Sequence, residues 1–132
     1  MKLFITREME LTQEMFENVI IGALEGGSNY WYELNVDEFR LSLPSKSELH
    51  SALTERISNA LYTNPKFQMK VYDRENSDEV LGIVNQASML KAFELANLHY
   101  STHVDNIISD DYDVEDADIM FQFATMGEII FG

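Results

Sequence analysis

The sequence predicts an α+β fold in which a mostly antiparallel sheet of about four to five strands packs against three to four helices. Several segments repeat apolar residues at spacings of three and four, which is the period of an amphipathic helix. Two alternating runs flank the polar turn 73–78, a pattern typical of a β-hairpin. With 132 residues, 45% of them apolar, and only two prolines, the chain has the composition of one globular domain, residues 1–132.

The first elements follow from short patterns. Apolar residues alternate over 3–11, which predicts a first strand. An apolar stripe over 15–24 predicts an amphipathic helix with Thr12 as its N-cap. Gly26 and Gly27 come next and are expected to end this helix in the left-handed conformation.

The stretch "SNYWYELNV", residues 28–36, is predicted as the second strand. Alternation along a strand places Tyr30 and Tyr32 on one face and Trp31 on the other. We expect the two tyrosines to face the core. Trp31 is then exposed unless a helix covers the opposite face.

The middle of the chain predicts a helix followed by the hairpin. Ser45 and Glu48 have capping-box spacing, and a helical stripe follows over 49–61. The hairpin strands are expected at 67–71 and 79–84.

Two helices and a strand are predicted for the remainder. Residues 86–109 have the pattern of a long helix with one possible break, and 114–126 that of a final helix. Gly127 is expected to cap the final helix, and residues 128–131 to form a short last strand.

Composition excludes some classes of protein. The chain has no cysteine, which excludes disulfides, thiolate catalysis and cysteine zinc sites. The apolar stretch at the N-terminus is too short, and the residues around it too polar, for a signal peptide. No apolar run has the length of a transmembrane helix. We therefore expect a cytoplasmic protein.

The net charge of −14 is the strongest compositional feature. Residues 92–132 contain nine carboxylates and no Lys or Arg. Such a charge repels nucleic acid and anionic membranes and attracts basic protein surfaces, although high acidity is also common among soluble proteins. The densest part predicts an acidic surface that comprises Asp110, Asp111, Asp113, Glu115 and Asp116.

Recognisable catalytic motifs are absent from the sequence, which has no phosphate loop, no G-x-G-x-x-G and no G-x-S-x-G. His99 and His103 are four residues apart, but Tyr100 stands where a zinc protease motif requires glutamate. The run "DDYDVEDAD" lacks the glycine and the final glutamate of a calcium loop. The sequence therefore predicts no metal, no cofactor and no enzymatic activity.

Six residues are candidates for contact with a ligand or partner. An exposed tryptophan commonly marks a binding surface, and tyrosines and side-chain amides supply stacking and hydrogen bonds. Asp118 and Gln122 lie four apart on the last predicted helix, where the alternative role is to tie the helix to a neighbouring backbone. The candidates are Glu25, Tyr30, Trp31, Tyr32, Asp118 and Gln122.

The stretch "ALEGGSNYWY" and the C-terminal "DADIMFQFATMGEIIFG" resemble a family of small uncharacterised proteins from bacteriophages and prophages. In that family a glycine-glycine-aromatic stretch follows the first helix. The chain closes with a helix that has a D-A-x-x-x-D-like motif, followed by a glutamine and a terminal F-G-E-I-V-x-G. The hairpin "YDRENSDEVLGIV" also fits the pattern. The resemblance implies phage or prophage origin but no catalytic residues.

The favoured hypothesis is a non-enzymatic accessory protein that binds and inhibits a host factor, such as a defence protein, with one version acting through the acidic surface. The alternative is an oligomeric protein that sequesters a small nucleotide signal, with the aromatic residues 30–32 stacking on the base. A metal-dependent enzyme that uses His99 and His103 ranks third. A homo-oligomer is expected because Phe121 and Phe123 cannot lie on one helical stripe, although burial on both sides of a central helix explains them equally well.

Overall fold

The computed structural model describes residues 1, 3, 7–45 and 52–132, and its fold is α+β as predicted. One three-stranded antiparallel sheet, ordered β1-β2-β3, packs against the helices. The described residues therefore hold fewer strands and more helices than predicted. The helices are Gln13–Gly22 (α1), Leu53–Thr63 (α2), Gln86–His99 (α3), Ser101–Ile108 (α4) and Val114–Met126 (α5), and the strands are Tyr32–Glu33 (β1), Gln68–Asp73 (β2) and Asn76–Asn85 (β3).

Local capping signals explain where several helices begin and end. The Thr12 side chain accepts a hydrogen bond from the backbone N–H of Met15 and caps α1, as predicted. Asp113 caps α5 in a capping box, and Gly127 ends it in the left-handed conformation, with φ 74°. The predicted helix 86–109 is broken at Tyr100 into α3 and α4.

Three of the predicted strands are not formed as expected. Residues 7–11 and 128–131 have no strand structure, and only Tyr32–Glu33 of the predicted strand 28–36 pairs with β2. A turn precedes this short strand, because the backbone N–H of Trp31 donates to the Ser28 carbonyl at 3.1 Å. The capping box predicted at Ser45 and Glu48 extends outside the described residues.

Gly26 and Gly27 do not adopt the left-handed conformation that the sequence suggested. The chain instead continues from α1 into a π-helical turn, Ala23–Gly27. A Cβ atom on Gly27 would lie 2.1 Å from the Val114 carbonyl oxygen. Glycine is therefore required here because two backbones meet, at the point where the π-helical turn passes the N-terminus of α5.

α5 is the central helix of the core. Phe121 and Phe123 are both buried, on different sides of the helix, so burial within this chain accounts for both side chains. The buried apolar residues form one cluster that draws on all five helices and on the sheet. No helix among the described residues is long and apolar enough to cross a membrane.

Candidate functional site

The buried carboxylate of one candidate residue, Asp118, joins three of the other five candidates. Asp118 lies on α5 and is 7% exposed. One of its oxygens accepts hydrogen bonds from Ser28 Oγ at 2.7 Å and Trp31 Nε1 at 2.8 Å. The other accepts from Tyr30 OH at 2.7 Å and Gln122 Nε2 at 3.2 Å. The turn 28–31 is thus fastened to α5 by one side chain, about 90 residues away in sequence.

Gln122 holds the C-terminal segment against the same helix. Its Oε1 accepts hydrogen bonds from the backbone N–H groups of Ile130 and Phe131, both at 2.9 Å. Its Nε2 donates to the Phe131 carbonyl at 3.1 Å. The side-chain amide therefore satisfies backbone groups of Ile130 and Phe131 that a neighbouring strand would otherwise satisfy.

Tyr30 faces opposite to the prediction, whereas Tyr32 is half-buried and packs against the core, as predicted. Trp31 lies against Phe121 of α5, so a helix covers it. Trp31 is buried, with 2% exposed, whereas Tyr30 is 50% exposed. The turn at Ser28 breaks the two-residue alternation on which the prediction depended, and the bond to Asp118 draws the indole inward. The Trp31 ring stacks on Phe131, with centroids 5.2 Å apart and planes 10° apart.

Burial and the bond to Asp118 raise the pKa of the Tyr30 hydroxyl to about 12, from an ordinary 10.0. The phenol therefore remains a donor to Asp118 at neutral pH. The side chain is half exposed while its hydroxyl is held by Asp118. Tyr30 is consequently a rigidly held exposed aromatic side chain.

The remaining two candidates, Tyr32 and Glu25, make contacts that do not involve Asp118. Tyr32 OH donates to the Leu24 carbonyl at 2.6 Å and so supports the π-helical turn. Burial raises the pKa of Tyr32, Arg74 nearby lowers it, and the charge of Glu25 raises it. Glu25 is exposed and accepts a hydrogen bond from Thr54 Oγ1 at 3.1 Å.

Asp116 does not belong to the acidic surface, contrary to prediction. It is 4% exposed, and its carboxylate pairs with His103 Nδ1 at 2.6 Å and accepts hydrogen bonds from Asn106. Burial alone would raise its pKa, but hydrogen bonds from the Asp113 backbone, His103 and Asn106 outweigh burial and hold the pKa below the ordinary 3.8. Asp116 therefore ties α4 to the start of α5.

The other predicted acidic residues are exposed, and one of them, Asp110, lies near the ring of Tyr112. Burial raises the pKa of the Tyr112 hydroxyl, and the charges of Asp110 and Glu25 raise it further, which places both carboxylates close to this ring. We refer to five exposed carboxylates together as the acidic patch: Glu25, Asp110, Asp111, Asp113 and Glu115. Among the described residues, no Lys or Arg forms an ion pair with any of the five.

The two histidines of the metal hypothesis lie on different helices. His99 ends α3 and is exposed, whereas His103 lies in α4 and pairs with Asp116. The break at Tyr100 thus removes the continuous helix on which their spacing of four depended. Within the described ranges, no group of three or more His, Asp or Glu side chains is placed to hold a metal ion.

Two surface clefts were not foreseen from the sequence. A polar cleft of about 590 Å³ lies between the loop 33–40 and the hairpin, with Tyr72 and Asp78 in its wall. A more apolar cleft of about 600 Å³ lies between residues 7–11 and α3. None of the six candidate residues lines either cleft. Glu33, the neighbour of Tyr32 in sequence, lines the polar cleft.

Two residues of the buried network were also missed. Ser28 and Phe131 complete the contacts of Asp118 and Trp31, and only their place in the two family-like motifs singled them out in the sequence. Comparison with known proteins adds nothing further, because no family model, no curated protein and no solved structure matches this chain.

Proposed function

We propose that this chain is a non-enzymatic accessory protein of phage or prophage origin that binds and inhibits a host protein through its acidic patch. The expected partner has a basic surface, such as one that normally holds nucleic acid. The proposal of phage origin depends on the resemblance of the motifs near both ends of the chain.

The observation that carries the proposal is the unpaired charge of the acidic patch. In a chain of net charge −14, the described basic residues that form ion pairs form them elsewhere: Arg7 with Asp105, Arg40 with Asp37 and Lys91 with Glu94. Exposed carboxylates that form no ion pair with a described Lys or Arg create a negative potential that attracts and orients a basic partner.

Aromatic and apolar side chains accompany the acidic patch. Tyr112 is half-buried near Asp110 and Glu25, and Val114 and Ile108, nearby in sequence, are exposed. Aromatic and apolar side chains combined with charged ones at the rim are typical of protein–protein interfaces. Such a surface suits a folded basic protein better than it suits a small anion.

The nucleotide alternative has less support. It requires Trp31 to stack on a base and Asp118 to read the edge of that base. Trp31 is buried against Phe131, and Asp118 already accepts four hydrogen bonds. Only Tyr30 among the aromatic residues keeps an exposed ring for such a role.

The proposal is tested by neutralising the acidic patch. The patch variant carries Asp110→Asn, Asp111→Asn and Glu115→Gln, and asparagine suits the left-handed backbone of residue 110, with φ 60°. Tagged protein is used to capture host proteins from a cytoplasmic extract, and these are identified by mass spectrometry. We expect one or more basic host proteins to bind the wild type and to be lost with the patch variant.

The matched control changes net charge equally at a distant place. The hairpin variant carries Glu75→Gln, Asp78→Asn and Glu79→Gln, three exposed residues of the β2–β3 region. It should capture the same proteins as the wild type. Equal loss with both variants would show a response to overall charge alone, and unchanged capture by the patch variant would contradict the proposal.

A further inference from the structure

The C-terminal segment 128–132 lies over the buried aromatic network as a strap. Its polar attachments are the three hydrogen bonds to the Gln122 amide, and its main apolar attachment is the stack of Phe131 on Trp31. Its backbone forms no other hydrogen bond to the described residues. Ile129 adds a further apolar contact, because its half-buried side chain packs against the hydrophobic core.

The strap begins at a hinge. Gly127 has φ 74° and is exposed, and a Cβ atom built on it would meet no atom within 4 Å. Glu128 and Ile130 are also exposed. Rotation about Gly127 can therefore lift the strap without moving a side chain of α5.

The network beneath does not depend on the strap. All four donors to Asp118 come from Ser28, Tyr30, Trp31 and Gln122, and none comes from residues 128–132. Lifting the strap leaves these bonds in place. It uncovers one face of the Trp31 indole and frees the Gln122 amide from its three bonds to the strap.

We propose that the strap is a displaceable cover, and that the seat beneath it binds an aromatic side chain carried on an extended peptide of a partner protein. The strap itself shows the required chemistry. The indole of Trp31 stacks on the aromatic ring. The Gln122 amide accepts hydrogen bonds from two consecutive backbone N–H groups and donates one to a backbone carbonyl. Extended peptides are commonly recognised by such backbone bonds combined with a side-chain pocket.

The strap competes with any such peptide because it is tethered to the seat. A short tether gives an effective concentration on the order of millimolar, so a peptide displaces the strap only when it binds more tightly or when the strap is weakened. The seat and the acidic patch share no residue. The two proposals can therefore fail independently.

Local opening is tested first by amide hydrogen exchange on the full chain. The Ile130 and Phe131 amides should exchange about 100-fold faster than those at the centre of α5, at a rate that does not depend on low concentrations of urea. Exchange of these two amides only through global unfolding would overturn the proposal.

The hinge provides a matched pair of variants. Gly127→Ala strains the left-handed backbone without adding a clash and should speed exchange at Ile130 and Phe131 about tenfold. Gly127→Asn tolerates the same backbone and should change it less than about threefold. Equal effects of the two variants, or no effect of either, would show that the closed strap does not depend on this hinge and would overturn the opening mechanism.

The ligand is tested with Phe131→Ala, which removes the competing ring. Trp31 is the sole tryptophan, so its quenching by acrylamide reports on the seat. Quenching should rise about threefold in the variant. The peptide Glu-Ile-Ile-Phe-Gly at millimolar concentration should reverse the rise, whereas Glu-Ile-Ile-Ala-Gly should not.

Circular dichroism shows whether Phe131→Ala is folded. If it is not, the same peptides are added to Gly127→Ala, which keeps every side chain of the strap. Protection by neither peptide, or equal protection by both, would overturn the proposed seat.

Discussion

Replacing Asp118 by asparagine tests the buried network with almost no change of shape. One acceptor oxygen becomes an NH₂ group, and each oxygen of Asp118 now accepts two hydrogen bonds. Two donors therefore lose their acceptor, whichever way the amide is turned. Because Tyr30 is half exposed, its hydroxyl can turn to water, whereas Ser28 and Trp31 are buried and cannot.

The expected loss of unfolding free energy follows from these hydrogen bonds. A hydrogen bond to a charged group contributes about 1.5–3 kcal/mol, so losing two of them, with partial relaxation, should lower the free energy of unfolding by about 3 kcal/mol. Urea unfolding at neutral pH measures this change, followed by Trp31 fluorescence and by circular dichroism.

The control is Asp111→Asn, an exposed position at which we expect a change within about 0.5 kcal/mol. A loss of less than about 1 kcal/mol would refute the view that Asp118 fastens the aromatic turn to α5.

Two further predictions concern Asp116 and Gly27. The pKa of Asp116 lies below the ordinary 3.8 in the fold, so its stabilisation is complete above that value and is lost as pH falls through the lower folded pKa. Asp116→Asn should therefore flatten the decline of unfolding free energy in acid, as measured by urea midpoints across pH, and an unchanged slope would contradict this. Gly27→Ala should cost about 2–3 kcal/mol in thermal unfolding, because its Cβ would meet the Val114 carbonyl. Gly26→Ala should cost less, because it meets only the movable Val114 side chain at 3.3 Å, and equal costs would contradict the close approach.

The elements that were predicted correctly depend on nearby residues. α1 has an apolar stripe and a threonine cap within a few residues, and β2 and β3 flank a polar turn. α5 likewise has Asp113 at one end and Gly127 at the other. Each signal is local, so the sequence contains it directly.

The errors concern contacts between distant parts of the chain. Trp31 was placed on the face opposite the two tyrosines because alternation was assumed through a strand that a turn at Ser28 interrupts. The partner that draws Trp31 inward, Asp118, lies 87 residues further along the chain. Asp116 was placed on the surface because it lies in a dense run of acidic residues. The run gives no sign that the Asp116 carboxylate is bound by His103 and Asn106.

Four of the six candidate residues come together in the structure, in an arrangement that the sequence did not predict. Tyr30, Trp31, Asp118 and Gln122 do come together, as hydrogen-bonding partners of one another. The role of Asp118 and Gln122 as ties to neighbouring groups, weighed as the alternative from the sequence, describes these contacts. Whether a ligand or partner uses them stays a prediction.

The most direct test of the acidic patch is the salt dependence of binding to a purified basic host protein identified by capture. Dissociation constants are measured between about 50 and 500 mM salt for the wild type, the patch variant and the hairpin variant. We predict steep weakening with salt for the wild type and the hairpin variant, and weaker, flatter binding for the patch variant. Equal affinity at low and high salt, or a patch variant that binds as the wild type does, would contradict the account.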